Sequence, residues 1–263
     1  MTDPFTDTYD TLAITTLTDG IVHLCLDRQP ELNAINETLL DELNTVLDIL
    51  ERHESARLLL ISGSGSRAFS IGADIRHRLD ELSAETARRL SCHGQRTFAK
   101  LARFPGPVLA SIDGYCLGGG MELAACADLR IASPDATFSQ PEQELGLIPG
   151  WGGTQRLPRI IGLSRAKHVI FTAEEFDAET MHEYGFITEL SATPFETTRD
   201  RAEGLAEYSS IAQRYAKRAI QTGLDTHGAG FAFESSSFGY LVDQRRGEDN
   251  ADDTDEGGTP SSN

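Results

Sequence analysis

Short apolar strands and helical segments alternate along the first two thirds of the chain. The run TLAITTLTDGIVHLCLDR brackets Thr18-Asp19-Gly20, and its Asp-Gly step favours a tight hairpin turn. The next segment, ETLLDELNTVLDILERH, spaces its apolar residues at the helical period, with Asn36 or Thr38 as the cap. The runs LLLIS and FPGPVLASIDG have the continuous apolar character of buried strands. This alternation predicts an α/β fold with a partly parallel sheet.

The chain changes character after Ser164 and becomes mostly helical. Its last sixteen residues, EDNADDTDEGGTPSSN, hold six acids and no large apolar side chain. Such a segment cannot bury enough apolar surface to offset the entropy that ordering would cost. We therefore predict a core that carries the functional site over residues 1–190, a C-terminal helical region over 191–245 and an acidic disordered tail over 246–263.

Acidic residues outnumber basic ones by 41 to 23, which gives a formal net charge of −18. This charge disfavours binding to nucleic acid or to an anionic membrane. It is typical of a protein from a high-salt cytoplasm, and an ordinary acidic protein is the alternative. No apolar run approaches the roughly 20 residues of a membrane span, and the acidic start MTDPFTDTYDTLA differs from a signal peptide. We expect a soluble, cytoplasmic protein.

The cysteines and histidines of the chain lack the spacing of a metal or redox site. Cys25, Cys92, Cys116 and Cys126 form no CxxC pair, so we expect free thiols that fill apolar space. The seven histidines show no HExxH or HxxxH pattern, and no metal site is predicted.

One glycine-rich segment has the spacing of a dinucleotide-binding loop. Gly63-x-Gly65-x-x-Ala68 follows the strand LLLIS, so a nicotinamide or flavin protein is a formal alternative. That motif must open a helix, because the pyrophosphate binds at the helix N-terminus. Here the chain runs on into Phe69-Ser70-Ile71-Gly72, where another glycine interrupts any helix. The glycine spacing is therefore weak support for a dinucleotide-binding site.

Two other glycine segments each lie between a strand and a helix. They are Gly72–Arg76 and Gly118–Gly120, the latter within GYCLGGGMELAACADLRIA. The first N–H groups of a helix lack intrahelical partners and carry partial positive charge, and glycine lets a ligand approach them closely. If the two segments converge, they form an oxyanion hole of backbone donors.

Two glutamates are candidate acid–base groups. Glu122 is followed by apolar or small residues, and its burial in such a segment would need a reason; the alternative is an ordinary acid in the first turn of a helix. Glu142 follows Pro141 in SQPEQELGLIPGWGGTQRLPRIIG, a glycine-rich segment pressed against other parts of the chain. Glu144 is its rival, and a surface acid is the alternative for both.

Three long segments resemble the signature regions of the enoyl-CoA hydratase/isomerase family, the crotonases: AFSIGADI, GYCLGGGMELAACADLRIA and FSQPEQELGLIPGWGGTQRLPRIIG. RQPELNAIN is similar to an earlier segment of that family, and the resemblance covers roughly residues 10–225. It implies a spiral of ββα units with a C-terminal helical region, assembled as a homotrimer or as a hexamer of two trimers.

The resemblance also implies the site residues. The N–H groups of Ala73 and Gly119 match the donors that hold a thioester oxygen, and Glu122 and Glu142 match the two acids of a hydratase. The substrate-binding residues implied are Arg28, Ala73, Asp74, Ile75, Arg76, Gly119 and Gly150.

The pair of acids favours hydration of trans-2-enoyl-CoA to 3-hydroxyacyl-CoA. A family isomerase or another acyl-CoA lyase is the first alternative, and a noncatalytic member that binds RNA or protein is the second. No metal or redox cofactor is implied, because coenzyme A is part of the substrate. Ile71 and Trp151 depart from the family pattern beside the expected acyl pocket. The segment after Phe238-Gly239-Tyr240-Leu241 is a separate departure, in the place of the family's final basic helix.

Overall fold

The computed structural model describes residues 8–18, 20–53, 55–74 and 83–225. The strands in this part of the chain are β1 (Leu12–Thr16), β2 (Ile21–Leu26), β3 (Leu58–Gly63), β4 (Ala68–Ser70), β5 (Val108–Ile112), β6 (Tyr115–Leu117), β7 (Leu129–Ala132), β8 (Thr137–Ser139), β9 (Phe176–Asp177) and β10 (Glu189–Leu190). The helices are α1 (Glu37–Glu51), α2 (Ala84–Ala102), α3 (Gly119–Ala124), α4 (Gly153–Ile161), α5 (Leu163–Thr172), α6 (Ala178–Glu183), α7 (Pro194–Ala206) and α8 (Ser210–Asp225). Short 3-10 helices cover Gln29–Glu31 and Pro141–Leu145.

The strands form two sheets. The larger has the order β1-β2-β3-β5-β7-β10, and the smaller has the order β4-β6-β8-β9. Only the pairs β1–β2 and β8–β9 are antiparallel among the described strands. The predicted hairpin is confirmed, because β1 and β2 pair across the turn that contains Gly20. The predicted α/β fold with a partly parallel sheet is also confirmed.

The two sheets are built from a repeated unit. β3, β5 and β7 lie in the large sheet, and the strand that follows each of them, β4, β6 or β8, lies in the small sheet. Each pair then leads to a helix, α2, α3 or α4. Every unit therefore crosses from the large sheet to the small one before its helix.

Burial follows the sequence pattern. The α1 helix buries its apolar positions Leu39, Leu40, Leu43, Val46, Leu47 and Leu50. Asn36 caps it by accepting a hydrogen bond from the Leu39 N–H, so Asn36 rather than Thr38 is the cap. All of β5 is buried, as expected for a parallel strand covered on both faces. On one face Leu58 and Leu109 pack with Ala202 of α7, and alternate residues join the main core.

The loop with the dinucleotide-like spacing has another role in the fold. β3 ends at Gly63 and β4 begins at Ala68, so the loop joins two strands and opens no helix. The helix that a dinucleotide-binding loop has to open therefore does not follow this loop. All four cysteines are free thiols, also as expected.

The chain divides after Glu207 into two units, and α8 in the second is described by itself. It is a 16-residue helix with exposed Ile220 and Leu224. The domain limits predicted from the sequence stay predictions, and the whole predicted tail, 246–263, lies outside the described residues. Within the residues that the structure describes, the helices are too short or too polar to cross a membrane.

Candidate active site

A parallel bridge between Ile35 and Ala73 fixes the segment after β4. The Ile35 N–H donates to the Gly72 carbonyl at 2.7 Å, and the Asp74 N–H donates to the Ile35 carbonyl at 3.0 Å. These bonds engage the groups on either side of the Ala73 N–H. That N–H itself has no acceptor among the described residues, so it is available to a ligand.

The start of α3 lies directly beside this segment. A Cβ atom on Gly72 would lie 2.7 Å from the Gly119 nitrogen, and one on Gly119 would lie 3.3 Å from the Ala73 nitrogen. The first contact is closer than real Cβ atoms approach, so Gly72 has to lack a side chain. The Gly119 N–H opens the helix and has no acceptor among the described residues. The structure thus brings the two predicted oxyanion donors together.

Glu122 lies one turn into α3 and is almost completely buried, at 1% exposure. Its Oε1 accepts hydrogen bonds from the Trp151 N–H at 2.8 Å and the Gly153 N–H at 2.6 Å. Burial raises the pKa of this carboxyl, and the two peptide hydrogen bonds oppose that rise by stabilising its charge. Glu122 is therefore a fixed carboxyl group whose Oε1 is already bonded.

Glu142 lies in the 3-10 helix that follows β8. Its Oε1 is 3.0 Å from the position that a Cβ on Gly118 would occupy, which puts it beside the start of α3. Its Oε2 is buried and receives no hydrogen bond from any described residue. Burial, together with the charge of Glu122, raises the pKa of Glu142 to about 7. Its rival Glu144 is exposed.

The indole of Trp151 forms a wall next to the peptide donors. A Cβ on Gly119 would lie 2.5 Å from its Cζ3, and one on Gly94 of α2 would lie 2.3 Å from its Cδ1. The ring also packs edge-on against Phe98, at 5.4 Å between centroids. Trp151 is only 7% exposed, and its ring fills the space between α2 and α3.

The predicted substrate-binding residues lie at different distances from this centre. Arg28 Nη1 donates to the Asp74 carboxylate at 2.9 Å and to the Ala34 carbonyl at 2.6 Å, which ties it to the strand-like segment of Ala73. The Gly150 carbonyl faces α2, where it accepts hydrogen bonds from the side chains of Ser91 and Gln95. Ile75 and Arg76 lie outside the described residues.

Several contacts at the site are not predicted by the sequence. The N–H groups of Trp151 and Gly153 hold Glu122, although the density of glycines at 150–153 was a signal of close backbone approach. Gln140, which was not singled out, is fully buried and donates to the Gly118 carbonyl. No group of three or more His, Cys, Asp or Glu side chains suited to a metal ion occurs in the described part of the chain.

The arrangement combines two kinds of chemistry. Two free peptide N–H groups can stabilise negative charge on an oxygen, and two carboxyl groups of different protonation tendency can move protons beside it. Together with the repeated ββα units, this defines an α/β protein with an oxyanion-binding, carboxylate-based site.

Known proteins share this architecture. Residues 16–252 match the family described as enoyl-CoA hydratase/isomerase. A short-chain-enoyl-CoA hydratase of Clostridium acetobutylicum is 35% identical over 218 residues, which cover 81% of this chain and 83% of that protein. A crotonyl-CoA hydratase of Syntrophomonas wolfei is 35% identical over 231 residues, 85% of this chain and 88% of that protein.

The fold comparison agrees. The crystal structure of an enoyl-CoA hydratase from Bacillus anthracis has a TM-score of 0.84 and 31% identity, and the match covers 96% of this chain and 98% of that one. The chain belongs to the enoyl-CoA hydratase/isomerase family and has the crotonase fold. The fold and family expected from the sequence are confirmed, and the family acts on acyl-CoA thioesters.

Proposed function

We propose that the protein hydrates trans-2-enoyl-CoA thioesters to 3-hydroxyacyl-CoA. The observation that carries this proposal is the pair Glu122 and Glu142 beside the adjacent N–H groups of Ala73 and Gly119. Two relatives at 35% identity are named as short-chain-enoyl-CoA and crotonyl-CoA hydratases, which supports a short acyl chain. The scheme requires neither a metal nor a redox cofactor, and assembly into a homotrimer or hexamer stays a prediction.

The thioester carbonyl accepts hydrogen bonds from Ala73 and Gly119. Water attacks Cβ, its proton passes to Glu122, and the π electrons of the double bond move through Cα onto the thioester oxygen. The two N–H groups stabilise this enolate, and one such donor is typically worth about 10²–10³ in rate. Cα then takes a proton from Glu142, and the proton on Glu122 returns to Glu142 through solvent. The net change is addition of one water.

The protonation states follow from the contacts of each carboxyl group. Burial raises the pKa of Glu122 as well, but the two peptide N–H groups on its Oε1 stabilise its ionised form. In the proposed mechanism its Oε2 accepts the proton of water. The buried Oε2 of Glu142 lacks a donor among the described residues, and the charge of Glu122 opposes its ionisation. Two neighbouring carboxyl groups of this kind share one proton. Glu142 is therefore the acid and Glu122 the base.

The test is the loss of enoyl-thioester absorbance with crotonyl-CoA, followed across pH. Since the pKa of Glu142 is raised to about 7 by burial and by Glu122, kcat/KM should fall as pH rises above about 7. Glu142→Gln should lower kcat by at least about 100-fold, and Glu144→Gln, an exposed neighbour, should leave it unchanged. A wild-type protein that hydrates no enoyl-CoA of any chain length contradicts the proposal. Double-bond transfer in a 3-enoyl-CoA as the main activity favours the isomerase alternative instead.

A further inference from the structure

The peptide between Gly118 and Gly119 has an orientation that other residues would resist. Gly118 has φ 48° and ψ −122°, in a region that residues with a Cβ rarely adopt. Because the peptide is planar and trans, its Gly118 carbonyl and its Gly119 N–H point in opposite directions. Whatever holds the carbonyl therefore also sets the direction of the Gly119 N–H.

Two groups hold that carbonyl. The Glu122 N–H donates to it at 2.9 Å as part of the first turn of α3. The second donor is Gln140 Nε2, at 3.2 Å, from the residue just after β8. The Gly118 N–H donates to the carbonyl of Ser139, the last residue of β8, at 2.8 Å. Both the N–H and the carbonyl of Gly118 are thus bonded to consecutive residues at the end of β8.

Burial of the Gln140 side chain lowers the stability of the fold, because one of its polar atoms is unpaired. It is 0% exposed, and its Oε1 is buried without a hydrogen-bond partner among the described residues. Burying an unpaired amide oxygen is unfavourable, and an apolar side chain of similar length would avoid it. The reversed amide would put Oε1 against the Gly118 carbonyl, where two acceptors repel. Stability alone therefore does not account for glutamine at this position.

We propose that Gln140 is a positioning residue that orients and polarises the 118–119 peptide, so that the Gly119 N–H binds the thioester oxygen more strongly as it gains charge. This inference rests on the proposed hydratase function. A carbonyl that accepts a hydrogen bond makes the N–H of the same peptide a better donor. Since negative charge grows on the oxygen only in the transition state, Gln140 acts on kcat more than on substrate affinity.

The experiment measures the polarisation directly. Butyryl-CoA labelled with ¹³C at the thioester carbonyl has no double bond to hydrate, so its C=O stretch can be recorded in the complex by difference infrared spectroscopy. Binding to the wild type should lower the stretching frequency. In Gln140→Met, which keeps the length and removes the amide, the lowering should be at least about one third smaller. With crotonyl-CoA, kcat should fall about tenfold while KM changes less than about threefold.

The matched control is Ser139→Ala. Ser139 is also buried and donates a side-chain hydrogen bond to a backbone carbonyl, but that carbonyl belongs to Ala173. This variant should keep the wild-type frequency and kcat. Gln140→Met should melt at the same or a higher temperature than wild type, because it removes an unpaired buried oxygen. A purely structural glutamine predicts a lower melting temperature with an unchanged carbonyl frequency.

The other possible outcomes also decide whether Gln140 has this role. If wild type hydrates crotonyl-CoA and Gln140→Met keeps both its frequency and its kcat, the role of Gln140 is refuted and the hydratase function stands. Equal losses in Ser139→Ala would refute it as well. If wild type neither shifts the carbonyl stretching frequency nor hydrates crotonyl-CoA, the proposed function is refuted, and the inference about Gln140 that rests on it is refuted with it. Should Gln140→Met not fold, Gln140→Asn, which keeps the polarity but is one methylene too short, is expected to give the same loss.

Discussion

At the scale of single residues, the carboxyl group of Glu142, the acid of the proposed mechanism, also makes the stability of the protein depend on pH. Burial and the charge of Glu122 raise its pKa from 4.5 to about 7. The native state therefore binds this proton more tightly than the unfolded chain does. The resulting stabilisation is fully present below pH 4.5 and is lost as pH rises through about 7.

Glu142→Gln removes this pH dependence, because glutamine stays neutral. Relative to wild type, the free energy of unfolding of the variant should rise by about 1–3 kcal/mol between pH 5 and pH 8.5, a range that allows for the partial exposure of the side chain. Urea unfolding at the two pH values measures this difference. Glu144→Gln should instead run parallel to wild type, and a parallel course for Glu142→Gln would contradict the raised pKa.

At the scale of elements, the packing of α2 on α3 depends on one indole ring. Trp151 contacts Gly94 of α2 and Gly119 at the start of α3, both of which leave room for it only because they lack side chains. The same ring borders the Gly119 and Ala73 donors. We expect the acyl chain of a thioester bound at these donors to pass beside the indole, and we expect the ring to limit the length of that chain.

Trp151→Ala should open this wall. We expect the ratio of kcat/KM for trans-2-decenoyl-CoA to that for crotonyl-CoA to rise at least tenfold, with a loss of about 3–5 kcal/mol in stability from the cavity. Steady-state assays on both substrates measure the ratio. Phe98→Leu loosens the same packing but keeps the indole, and it should leave the ratio close to that of wild type. An unchanged ratio in Trp151→Ala would show that the indole does not bound the acyl site.

The elements that local rules govern were predictable from the sequence. The hairpin at Gly20 and the α1 helix follow from turn chemistry and periodicity, which left Asn36 and Thr38 as candidate caps, and the apolar neighbours of Glu122 indicated its burial. The bonds from Trp151 and Gly153 to Glu122 join residues about 30 positions apart, and local pattern does not specify such pairs. Gln140 was missed for the same reason, because nothing near it in sequence indicates that it reaches Gly118.

At the scale of the whole molecule, charge is the dominant feature. The net charge of −18 is distributed along the chain and opposes its compaction unless salt screens it. The high-salt origin expected from the sequence stays a prediction, and it has a simple physical consequence. Stability should depend on ionic strength more strongly than it does in proteins of balanced charge.

Lowering KCl from 3 M to 0.1 M should reduce the melting temperature and the hydratase activity together. Circular dichroism and the crotonyl-CoA assay follow the two quantities. Replacing the exposed acids Glu175 and Glu183 by glutamine should weaken the dependence, because it lowers the self-repulsion that salt screens. A protein indifferent to salt over this range would remove the case for a high-salt origin.

The repeated ββα unit distributes the chemistry along the chain in a way that bears on how new activities arise. The unit of β3 and β4 supplies the Ala73 donor, that of β5 and β6 supplies Gly119 and Glu122, and that of β7 and β8 supplies Glu142. In the proposed mechanism, the first two units therefore hold the thioester, and the third unit supplies the second proton. On that mechanism, a change confined to the third unit would alter the second proton transfer, while the first two units would still bind and polarise the thioester. This arrangement would let the reaction diverge by local substitution while the scaffold and its activating peptides are retained.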